Sequence, residues 1–168
     1  AYREHGNQER FIQYAREYVA AVTASGGVPS RAEEGLLAFY QAEIHSLLDQ
    51  PEEAYQAYER AAGLVTDKNH LSDSYLKMAE YQAKKGDGER AFALARLAAD
   101  ALPDAHRRQR EVGDLLLRLG MPDEAYAYFE RSVKLTSSEA DRAAVYATMG
   151  DTYKKWGNRE SYIHFARE

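Results

Sequence analysis

Apolar residues recur at helical spacing along most of the chain, in stretches each about one helix long, and short polar or glycine-containing segments separate them. Three of these segments share a form: Gln50-Pro51-Glu52-Glu53-Ala54-Tyr55, Gly86-Asp87-Gly88-Glu89-Arg90-Ala91-Phe92 and Gly120-Met121-Pro122-Asp123-Glu124-Ala125-Tyr126. Each ends in an alanine followed by an aromatic and stands between two amphipathic stretches. A fourth copy, Gly157-Asn158-Arg159-Glu160-Ser161-Tyr162, has Tyr162 at the alanine position. The equivalent positions are 54, 91, 125 and 162, in steps of 37, 34 and 37 residues. Such a period, with one turn between two helical patterns, predicts an all-α array of helix pairs.

The flanking stretches carry small residues in phase with the turns. Tyr146, Met149, Gly150 and Tyr153 precede Gly157, and Tyr75, Met78 and Ala79 precede Gly86, which is followed by Ala91, Ala95, Ala98 and Pro103. Val112, Gly113 and Leu116 precede Gly120, with Ala125 and Phe129 after it, and Gln109 stands where an aromatic would fit. The first full copy has Ala38, Ala42 and His45, then Ala54, Tyr58 and Ala61. Gly, Ala or Ser is needed where two helices cross closely, and the large rings fill the gaps beside the crossing.

On these residues the chain resembles the tetratricopeptide repeat family over essentially its whole length. The resemblance implies a right-handed α-solenoid of antiparallel helix pairs, forming a single array. Its expected units are the tail of a preceding repeat (1–27), repeats at 32–67, 70–103 and 104–137, and a truncated repeat at 138–168. Tyr2–Glu17 (YREHGNQERFIQYARE) matches Tyr153–Glu168 (YKKWGNRESYIHFARE), so the sequence reads as a slice of a longer array or as one trimmed to an ordered part. Pro51 and Pro122 fall at the first turn of second helices, where a missing N–H costs nothing. Ser138-Glu139-Ala140-Asp141 reads as a cap that opens a first helix. Ser25-Gly26-Gly27-Val28-Pro29-Ser30 breaks the chain before the first full copy.

Charge narrows the partners. A net charge of −5 and a pI near 5.6 argue against nucleic acid, whose phosphates call for surplus Lys and Arg. The run His106-Arg107-Arg108-Gln109-Arg110 reads as the solvated start of a helix. With no cysteine there is no disulfide framework, thiol catalysis or Cys-based zinc site, and cytosol and periplasm both remain open, the cytosol being favoured. No apolar run approaches the ~18 residues of a membrane span.

In the family, first helices line a concave groove. Carried over residue by residue, the groove positions are Phe39, Glu43 and Leu47; Leu76, Glu80 and Lys84; Arg110, Asp114 and Arg118; and Ala147, Asp151 and Lys155. The residue after the small Ala or Gly is acidic in every full copy: Glu43, Glu80, Asp114 and Asp151. Stacked repeats would bring these acids into a ladder that attracts a basic segment or accepts hydrogen bonds from a peptide backbone. Equally, Glu80 with Lys84, Asp114 with Arg118 and Asp151 with Lys155 are i, i+4 pairs with the acid first, which support a helix by roughly 0.2–0.5 kcal/mol each. Both readings stand at this point.

The resemblance does not extend to the clamps that hold a C-terminal carboxylate with groove Lys and Asn. Acids occupy the Asn positions here, and Phe39, Leu76 and Ala147 occupy most of the neighbouring ones. Asn7, Asn69 and Asn158 lie off the groove line, which weakens a peptide-pheromone receptor reading. His5, His45, His70, His106 and His164 form no metal motif, and His45 reads as a packed histidine. No nucleophile elbow or phosphate loop occurs. Most of the 13 tyrosines fall on packing positions, while Tyr40 and Tyr81 read as groove or edge contacts, and Trp156 as packing. The function these features imply is a non-catalytic protein- or peptide-binding module without cofactor. It would serve as a passive scaffold, for instance in a secretion or export machine, or as a peptide sensor governing an attached output domain.

Overall fold

The structure is a computed structural model that describes residues 2–24 and 28–155. The described residues form eight α-helices and no strand: α1 (Tyr2–Ala24), α2 (Arg31–Leu47), α3 (Pro51–Leu64), α4 (Lys68–Lys85), α5 (Gly88–Ala101), α6 (His106–Arg118), α7 (Pro122–Leu135) and α8 (Glu139–Lys155). The fourth turn at Gly157, Trp156, the second half of the match between Tyr2–Glu17 and Tyr153–Glu168, and Ser25-Gly26-Gly27 lie outside the described residues.

Local chemistry sets the ends of these helices. Three connections, after α2, α4 and α6, share one turn with a left-handed residue at Asp49 (φ 56°), Gly86 (φ 82°) and Gly120 (φ 76°). In each, the next N–H reaches back five residues: Gln50 to the His45 carbonyl (2.9 Å), Asp87 to Gln82 (3.0 Å) and Met121 to Leu116 (3.0 Å). These bonds satisfy carbonyls that a helix end leaves open. Pro51 and Pro122 then open α3 and α7. Ser30 caps α2 through a reciprocal box with Glu33, whose carboxyl the Ser30 hydrogen bonds hold below its usual range. Asp67 caps α4 by accepting from the N–H groups of Asn69 (2.9 Å) and His70 (3.0 Å), which lowers its own pKa. Ser138 accepts from the Asp141 N–H (3.2 Å) at the start of α8.

The chain divides into two compact units, residues 1–94 and 95–168, with the boundary inside α5. In the first, α1 packs on α2, α2 on α3 and α3 on α4. Their crossings are made by small residues: Ala42, Ala61, Ala79 and Ala91 are fully buried. Gly35 makes the tightest approach, since a Cβ there would stand 2.7 Å from the Val65 nitrogen. Arg31 ties the same corner by donating to the Gly63 carbonyl (3.0 Å). In the second unit α6 packs on α7 and α7 on α8. Gly113 lies under the Phe129 ring, 2.8 Å from where a Cβ would be, and Ala95, Ala98 and Ala125 are fully buried.

The basic run departs from its sequence reading. α6 does begin at His106, but the Arg108 side chain is only 11% exposed and Gln109 is fully buried. Helical periodicity places both on the inner side with Val112, Gly113 and Leu116, and only Arg107 turns fully outward. Gln109 takes the aromatic's place because its Nε2 donates to the carbonyls of Ala99, Leu102 and Pro103 (3.4, 3.3 and 3.2 Å) at the end of α5. Its Oε1 is left buried without a hydrogen-bond partner.

Two substitution pairs test this geometry. Gly35→Ala should cost about 1–3 kcal/mol by overpacking against backbone that cannot yield. Gly63→Ala, with open space at its Cβ, should gain up to about 1 kcal/mol from helix propensity. Equal urea midpoints for the two variants would remove Gly35 from the crossing. Asp49→Gly should raise the unfolding free energy by about 0.5–1 kcal/mol, and Gly86→Ala should lower it by about 1–2 kcal/mol, because a Cβ is strained in the left-handed region.

Candidate interaction surface on the first helices

In the first unit the candidate residues lie on α2 and α4. Phe39 and Leu76 are buried and serve packing: Phe39 meets His70 (ring centroids 4.5 Å), Tyr40 (5.9 Å) and Tyr58 (6.1 Å). Glu43 is partly exposed, and its Oε1 accepts a hydrogen bond from the Tyr58 hydroxyl. Tyr58 is 2% exposed. Burial, and then the Glu43 charge, pushes its pKa far above the usual tyrosine value, so it stays a donor at all physiological pH. Asp73 on α4 raises it further, and so lies in the electrostatic neighbourhood of the same hydroxyl. Leu47 and Glu80 are half-buried, Lys84 is exposed, and Glu80 pairs with Lys77 (3.4 Å).

Tyr40 and Tyr81 turn out to occupy different settings. Tyr40 is partly exposed beside Tyr18 (5.2 Å), Phe11 (6.3 Å) and His70 (6.5 Å), joining α1, α2 and α4. Tyr81 stacks on Tyr55 of α3 (4.9 Å) and donates to Glu52 (3.0 Å), while Lys85 and Arg90 lie over the two rings. His45, as its position suggests, is partly buried and bonds Gln50 (2.7 Å). The ring cluster around Phe39 and the bond from Tyr58 to Glu43 are not visible in the letters, where Tyr58 is a packing position and Asp73 carries no motif.

In the second unit Ala147, Asp151 and Lys155 of α8 are exposed, as is Arg118 of α6. Asp114 faces Arg110 at 4.0 Å and also feels the Arg118 charge, so cations stand one turn before and one turn after it. Its carboxyl is nonetheless pushed above its usual range, because burial outweighs both arginines. Glu111 takes Arg107 (3.2 Å) and Arg108 (2.9 Å). Among the described residues no group of three or more His, Cys, Asp or Glu could hold a metal ion, and no helix is long and apolar enough to cross a membrane.

The raised Asp114 pKa fixes the sign of a pH effect. The folded state keeps this proton at a pH where the unfolded chain has lost it, so stability falls as pH rises through that interval. The cost is fully present above the folded pKa. Asp114→Asn should therefore raise the melting temperature at neutral pH, and the gain should vanish below the ordinary aspartate range of about 4. A gain that persists in acid would assign the effect to something other than the charge.

Residues 111–139, from within α6 to the start of α8, match the sequence profile of the tetratricopeptide repeat. No curated protein matches the chain. A crystal structure of MamA matches with a TM-score of 0.67 and 13% identity, over 96% of this chain and 88% of that one. YrrB, described as a TPR protein with an unusual peptide-binding site, matches with a TM-score of 0.62 and 16% identity, over 96% and 76%. A Podosopora anserina putative kinesin light chain with nearly identical TPR-like repeats gives 0.70 and 17%, over 99% and 86%. At these identities the likeness is one of fold. The chain thus carries a tetratricopeptide repeat at residues 111–139 within an all-α solenoid fold shared with tetratricopeptide proteins.

Proposed function

We propose that this chain is a non-catalytic module that binds a protein or peptide along the first helices of its repeats, at 32–67, 70–103, 104–137 and 138–168. One observation carries the reading. On each first helix the small residue is buried at the crossing, and the acid that follows it is at least partly open to solvent: Ala42 with Glu43, Ala79 with Glu80, Gly113 with Asp114 and Gly150 with Asp151. The crossing fixes the rotation of the helix, so the acids share one register, two in each unit. The peptide site described for YrrB, a protein of like fold, supports the same reading. So does the chemistry of the face, because carboxylates accept hydrogen bonds from extended backbone as well as from cationic side chains.

The test is selection from a random peptide library against the folded chain. Selected peptides should lose about tenfold or more in affinity when Glu43, Glu80, Asp114 and Asp151 are replaced by alanine, roughly the loss of 1.4 kcal/mol. Circular dichroism of both proteins should be the same. Peptides that bind the two equally would move the interaction to the second helices or the repeat edges, leaving the acids as helix support.

A further inference from the structure

We infer that the face shared by α2 and α4 in the first unit seats the lysine or arginine side chain of a partner segment, between the rings of Tyr40 and His70 and the carboxylates of Glu43 and Asp73. The inference rests on the reading of the first helices as ligand-facing, and adds the chemistry of what they face.

The charge of the chain is unevenly placed. Residues 1–94 contain 15 Asp and Glu against 10 Lys and Arg, and residues 95–168 contain 12 of each. The whole net charge of −5 therefore belongs to the first unit. A surface of one sign attracts and orients segments of the other.

Side-chain geometry then singles out one place in that unit. Glu43 on α2 accepts the hydrogen bond of the buried Tyr58 hydroxyl, and Asp73 stands on α4, which packs against α2. That hydroxyl donates to Glu43, so it orients the carboxylate while leaving its other lone pairs to accept from a ligand. Each acid also has a ring one turn earlier on its own helix: Tyr40 is three residues before Glu43, and His70 three before Asp73. The two rings are 6.5 Å apart and partly exposed, and buried Phe39 touches both from within the core. Aromatic faces attract cations, and two rings beside two carboxylates suit an ammonium or guanidinium group carried on an apolar stem. Around this face Lys77 pairs with Glu80 (3.4 Å), Arg60 with Gln41 (3.1 Å), Arg31 with the Gly63 carbonyl (3.0 Å), and Asp67 with the His70 ring (3.4 Å).

The second unit differs at the same register. Asp114 lies between Arg110 and Arg118, so a cationic ligand there would meet two resident cations. Recognition of a basic side chain is accordingly a property of the first unit alone.

The experiment uses a fluorescein-labelled peptide of about nine residues with arginine alternating with alanine, an extended span of roughly 30 Å. Glutamine and glutamate versions of it serve as references. The arginine peptide should bind the full chain about tenfold or more tightly than the glutamine peptide, weaken with added salt, and have no competitor in the glutamate peptide. A Glu43→Gln, Asp73→Asn double variant keeps an acceptor for Tyr58 and should lose about tenfold or more, and Tyr40→Leu several-fold, while a charge-matched Glu59→Gln, Glu89→Gln variant on the exposed faces of α3 and α5 binds as the parent does. Three results would overturn the proposal: no binding of the arginine peptide, equal binding of the arginine and glutamine peptides, or a loss in the Glu59→Gln, Glu89→Gln variant as large as that of the Glu43→Gln, Asp73→Asn variant. Failure here is separable from failure of the module reading. Uncharged library peptides that still depend on the first-helix acids would leave the module in place and remove the cation.

Discussion

Everything in this fold depends on how closely two helices of a pair can cross. At Ala42, Ala61, Ala79 and Ala91 in the first unit, and at Gly113, Ala125 and Ala98 in the second, no side chain larger than a methyl group separates the backbones. At Gly35 even a methyl group would strike backbone. Dispersion and burial at such crossings are all that a helix pair has, because each repeat buries its apolar face only against its neighbours. A crossing that is tight at one residue also fixes the rotation of the helix about its axis. Every other position on that helix is thereby assigned to the core, the rim or the open face.

The consequence for function is geometric. A residue that follows a crossing residue is turned by about 100°, and after Ala42, Ala79, Gly113 and Gly150 this leaves the acid at least partly open to solvent. The turn with its left-handed residue recurs at the ends of α2, α4 and α6. In all three described hairpins the small residue of the first helix and the alanine of the second are 12 positions apart: Ala42 and Ala54, Ala79 and Ala91, Gly113 and Ala125. A surface built on this scaffold is therefore specified by few choices, made one register at a time.

That regularity explains what could be read from the letters and what could not. Helix pairs, their turns and the small crossing residues are local or periodic, and the spacing of Ala54, Ala91 and Ala125 shows them directly. The fates of Phe39 and Leu76 depend on what lies opposite, so the groove positions of a family do not say that both are buried. Gln109 illustrates the same limit. It stands where a ring belongs, and only the three carbonyls at the end of α5 show why an amide can fill the place. Arg108 is drawn inward by the same helical phase that buries Gln109, against the plain reading of a basic run. The ring cluster of Tyr18, Phe39, Tyr40 and His70 draws on three helices, and no spacing within one helix announces it.

A single hydroxyl group distinguishes the acids of the two units. Tyr58 and Phe129 occupy the same position of the second helix, four residues after Ala54 and Ala125. Glu43 and Asp114 likewise share the position after the crossing residue. In the first unit the ring carries an oxygen, and it donates to Glu43. In the second it carries none, and the Phe129 ring instead covers Gly113. Asp114 is left half-buried, with its pKa raised by burial despite two arginines, whereas Glu43 has a neutral donor held in place by the core. A carboxylate met by a fixed neutral donor keeps its full charge to offer a ligand, and one placed between two cations has already spent much of it. The two units thus share a scaffold and a register and still present different chemistry, a difference set by Tyr58 and Phe129 beneath the surface as much as by the residues that face solvent.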